Sequence, residues 1–110
     1  MRKCSEFDLF HESHFGYVSR CKNCNDIHVQ IGSFLCALSE ESFVGLCDEI
    51  NRTKKEIADR VVKTPAGDKI LLAVARYNLF LSLSPDELYE TAEMLQIGKY
   101  MMEVDKIIQG

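Results

Sequence analysis

The feature that most constrains the fold is an internal echo. Leu35-Cys36-Ala37-Leu38-Ser39-Glu40-Glu41-Ser42-Phe43 returns as Phe80-Leu81-Ser82-Leu83-Ser84-Pro85-Asp86-Glu87-Leu88, at an offset of 45 residues. Carried backward, the echo pairs Ile27, Val29 and Phe34 with Leu72, Val74 and Leu79; carried forward, it pairs Cys47 with Ala92 and Ile50 with Leu95. Self-similarity at a fixed period signals a repeated supersecondary unit, and two copies are too few for a solenoid. The expected fold class is α+β: two tandem ββα-like halves, about 15–58 and 60–110, related by a pseudo-two-fold, with mainly antiparallel sheet and two main helices. No segment reads as a linker, so residues 1–110 are expected to form one domain.

The patterning inside each half supports this. Tyr17 to Arg20, Ile27 to Ile31 and Phe34 to Leu38 alternate apolar and polar residues as half-buried strands do. Side-chain parity switches at Gly32-Ser33, which a tight turn or a bulge would explain. Ser39 is placed to cap a helix with the apolar stripe Phe43, Leu46, Cys47, Ile50 and Ile57. In the second half, Arg60 to Thr64 and Lys69 to Ala75 flank the turn Pro65-Ala66-Gly67-Asp68, and a further parity switch near Arg76-Tyr77-Asn78 leads into Leu79, Leu81 and Leu83. Ser84-Pro85-Asp86-Glu87 has the form of a capping box with proline at the first helical position. The stripe Leu88, Ala92, Leu95 follows. Gly98 is expected to end or kink this helix before a further segment through Met101, Val104 and Ile108.

Composition excludes several classes. An apolar fraction of 46% and a charged fraction of 27% belong to a folded globular chain. The net charge of −4 gives no long-range attraction for nucleic acid, and Arg52, Lys54 and Lys55 read as cations near a helix C-terminus. Phe7, Phe10, Phe15 and Tyr17 lack interleaved basic residues, so they are expected to pack over the sheet and not to stack on bases. The longest apolar run, Ile70 to Ala75, is far short of a bilayer span, and the N-terminus lacks a secretory h-region. A cytoplasmic location is expected, where the five cysteines would stay reduced and serve metal binding or burial before disulfides. No phosphate loop, nucleophile elbow or metalloprotease helix occurs, and Glu40-Glu41 and Asp86-Glu87 are explained by first-turn placement in helices.

Cys21-Lys22-Asn23-Cys24 lies between two expected strands. At a hairpin tip this spacing turns both thiolates to one side, the form of a zinc knuckle. Cys4, His11 and His14 lie upstream, and two of them with Cys21 and Cys24 would complete a tetrahedral set. His28, opposite in parity to Ile27 and Val29, reads as a solvent-facing histidine. Cys36 and Cys47 lie on apolar faces and read as small hydrophobes. Thioredoxin-like reactivity needs Cys-x2-Cys at a helix N-terminus, whereas Asn25-Asp26-Ile27-His28-Val29 is strand-like.

Gly16-Tyr17-Val18, Cys21-x2-Cys24, Gly32, Leu38-Ser39 and Phe43 together resemble an uncharacterised family of short bacterial proteins. Cys4, the turn at Thr64-Pro65 and the helix start Leu83 to Leu88 fit the same family. The resemblance implies no activity, but it favours Cys4 as a partner of Cys21 and Cys24. The functional expectation is a non-enzymatic protein-interaction module with a structural zinc-type site, alternatively a reversible metal or thiol-redox sensor using Cys21 and Cys24. The apolar run Tyr100, Met101, Met102, Val104, Ile107 and Ile108 points to a protein partner or homodimer through the C-terminal helix.

Overall fold

The computed structural model describes residues 6–73 and 80–109. Four strands come first: β1 Phe7–Ser13, β2 Gly16–Cys21, β3 Ile27–Ile31 and β4 Phe34–Leu38. They form an antiparallel meander in the order β1-β2-β3-β4. Next come α1 Glu40–Lys55, the single turn α2 Ile57–Arg60, and an antiparallel sheet of β5 Val61–Thr64, β6 Gly67–Ala73 and β7 Phe80–Leu83. The long helix α3, Pro85–Gln109, closes the order.

The turns explain the registers. Gly32 at φ 59° makes the two-residue connection that sets Ile31 opposite Phe34, so the parity switch is a tight turn. Gly67 at φ 104° does the same after Pro65-Ala66, with Thr64 opposite Gly67. The Ser39 hydroxyl accepts the Ser42 N–H to start α1. Ser84 accepts from the Glu87 N–H while the Glu87 carboxylate accepts from the Ser84 N–H, a complete capping box. That backbone hydrogen bond holds the Glu87 carboxyl below the usual carboxylate range.

The α+β architecture matches the sequence expectation, with antiparallel sheets and two main helices. The strand count differs: four strands precede α1 and, among the described residues, three precede α3. The additional strand is β1. A bulge between Leu9 and His11 puts Phe7 and Leu9 on one face and buries Phe10 on the other, which erases simple alternation. Of the early aromatics, Phe7, Phe10 and Tyr17 lie in strands of the sheet, while Phe15 sits in the β1–β2 turn and packs against the core. Of the echoed pairs, Ile27 and Leu72, Phe43 and Leu88, Cys47 and Ala92, and Ile50 and Leu95 are all buried. Val74, Leu79 and the switch near residues 76–78 lie outside the described residues.

One apolar cluster gathers side chains from both sheets, α1 and α3. The helix α3 contacts β1, β2, β6, β7 and α1. It does not end at Gly98 but runs on to Gln109. A Cβ at Gly98 would stand 2.9 Å from Val18, so glycine at this position allows α3 to pack closely on β2.

Candidate metal centre

Hydrogen bonds within the turn build the connection from β2 to β3. The Cys21 N–H donates to the Asp26 carbonyl at 2.9 Å, and the Asn25 N–H returns to the Cys21 carbonyl at 2.8 Å. This second bond closes a single turn of the i→i+4 kind, which places side chains three apart on one side. Asn25, at φ 68°, takes the left-handed conformation that carries the chain back into β3. The Cys24 N–H then points at the Cys21 sulfur, 3.5 Å away.

His28 completes the group. The ligand atoms of Cys21, Cys24 and His28 all lie within 4.8 Å of one another, with Cys21 buried and the other two half-buried. A zinc tetrahedron with metal–sulfur distances of about 2.3 Å has edges of roughly 3.8 Å, so three ligands this close suit a common ion. Strand parity does place His28 opposite Ile27 and Val29, but Cys21 belongs to that same outer face. The register sets Arg20 against Ile27 and Ser19 against His28, leaving Cys21 beside the imidazole. The Phe7 ring packs against it, centroids 5.2 Å apart. The site could have been found from the loop length, which fixes the register and with it the shared face.

Ser19 gives an independent test of fit. It is 2% exposed, and its hydroxyl has no hydrogen-bond partner among the described residues. A metal-bound imidazole requires a partner for its second ring nitrogen, and this unsatisfied group stands directly across from His28.

The upstream histidines lie elsewhere. His14 occupies the turn after β1, at the end of the meander opposite Cys21, with Nε2 3.5 Å from the Glu90 carboxylate. His11 pairs with Val18 and lines a small cleft with Glu90, Glu93 and Met94 of α3. The structure brings neither to the cysteine pair. The N-terminal segment folds onto β2 as an edge strand, which runs its histidines away from the turn. Cys4 lies outside the described residues.

The remaining thiols fit burial. Desolvation pushes the Cys47 thiol up to about 12, and it donates to the Leu95 carbonyl at 3.8 Å. Burial raises the Cys36 thiol too. Cys21 and Cys24 differ in lying close to the His28 imidazole.

Fold and site together define a small α+β domain with a Cys-Cys-His group able to hold a metal ion. A family model described as a family of unknown function, DUF6686, matches residues 3–109, and the chain belongs to that family. No curated protein and no solved structure matches the chain. Among the described residues, no helix is long and apolar enough to cross a membrane.

Proposed function

We propose that this chain is a non-enzymatic interaction domain whose β2–β3 turn holds a structural zinc-type ion through Cys21, Cys24 and His28, with Cys4 as the fourth ligand. The mutual approach of three soft and borderline donors within 4.8 Å carries the reading. The family resemblance favours Cys4, and the Lys22 N–H donates to the Glu6 carbonyl at 2.9 Å, so the chain at Glu6 lies against the turn. A bound ion would tie β1, β2 and β3 together at one end, leaving the fold's surfaces to act through protein contacts.

Metal analysis of the purified full chain tests this. One ion per chain is expected in the wild type and in a His11→Ala/His14→Ala variant, with loss in Cys21→Ser and His28→Ala. Equal metal content in wild type and Cys21→Ser would overturn the proposal.

The half-buried Cys24, at a solvent-facing turn, supports a second reading as a reversible metal or thiol sensor. A structural ion should resist mild chelation and its removal should melt the meander. A sensor would release metal or oxidise with its strands intact by circular dichroism and hydrogen exchange.

A further inference from the structure

Arg20 is the one charged side chain buried among the described residues, and the metal reading does not use it. It precedes Cys21 and faces the opposite side of β2, towards the helices. A buried guanidinium needs fixed partners because it does not shed its charge. One nitrogen donates to Asn25 Oδ1 at 3.0 Å and another to Glu40 Oε2 at 3.1 Å. The Phe10 ring lies beneath it at 5.8 Å.

These partners frame the cysteine turn. Arg20 flanks it on one side and Asn25 on the other, so a single planar group spans both ends of the Cys21–Cys24 segment. Asn25 is also the left-handed residue whose N–H closes the turn onto Cys21. Glu40 opens α1, and its other oxygen meets the Lys106 ammonium of α3 at 3.0 Å. The clasp is thereby anchored to both main helices.

We infer that Arg20 is a positioning residue for the metal centre, its guanidinium holding Asn25 against Glu40 so that the Cys21–Cys24 turn is preset to receive an ion. This rests on the metal reading and adds what organises the ligands before binding. Groups hydrogen-bonded to metal ligands are worth roughly ten-fold or more in affinity, and Arg20 acts on Cys21 through Asn25, whose N–H donates to the Cys21 carbonyl. Cobalt(II) titration of the metal-free full chain provides the measurement, since thiolate-to-cobalt charge-transfer and d–d bands report affinity and ligand geometry together. Asn25→Gly keeps the left-handed backbone and removes the acceptor oxygen; Asn25→Asp keeps both. Cobalt should bind Asn25→Gly and Arg20→Lys roughly ten-fold more weakly, with shifted visible bands. Asn25→Asp should restore wild-type affinity and spectrum. Far-UV circular dichroism of the loaded Asn25 variants should be unchanged, because Asn25 is exposed. Wild-type affinity and bands in Asn25→Gly, or no rescue by Asn25→Asp, would overturn the inference while the metal reading stands. Absence of cobalt bands from the wild type would overturn both.

Discussion

The carboxylate of Glu40 accepts from two cations at once, Arg20 on one oxygen and Lys106 on the other. The Lys106 hydrogen bond, reinforced by Arg20, holds it below the usual carboxylate range. A group depressed in this way stabilises the fold above its unfolded pKa, near 4.3, and that contribution is lost as pH falls through the depressed value. Its side chain is about one third exposed, so screening limits the effect. Glu40→Gln should cost about 1 kcal/mol at pH 7. The gap should close on acidification through the carboxylate range in urea unfolding; a gap constant with pH would count against the pairing. Residues differed in how legible they were. Cys36 and Cys47 could be assigned to apolar faces by period alone, because burial depends on the residue's own strand or helix. His28 could not, because its neighbours on that face come from another strand and depend on register.

Among the elements, α3 shows why a glycine can be misread. Glycine weakens a helix by about 1 kcal/mol relative to alanine, so Gly98 looks like punctuation. Its role comes from Val18, a stiff β-branched side chain in the adjacent strand. Gly98→Ala should therefore destabilise by about 1–3 kcal/mol despite alanine's better propensity. In a double-mutant cycle followed by urea denaturation, Val18→Ala should recover much of that loss; additive costs would show that the close approach is not responsible. Local signals found β2 to β7 and both main helices, since caps, turns and alternation are written in neighbouring residues. They missed β1, whose bulge changes its face at Phe10 midway. Cys4 came from family resemblance and not from any local pattern.

For the whole molecule, the exposed apolar residues of α3 are the surface to explain. Met102 is buried, while Tyr100, Met101, Ile107 and Ile108 are exposed, the last two by 80% and 76%. We propose self-association through these α3 residues, since exposed apolar patches favour contact with another surface. Light scattering should give a dimer for the metal-loaded wild type and a monomer for Ile107→Lys/Ile108→Lys, with metal content unchanged. A wild type that stays monomeric at high concentration would remove the homodimer.

The same helix has a further effect through its place in the chain. It follows every strand it covers, and it contacts β1 and β2 as well as β6 and β7. Until α3 docks, each sheet keeps part of its apolar side uncovered, and the docking of this one helix joins the two.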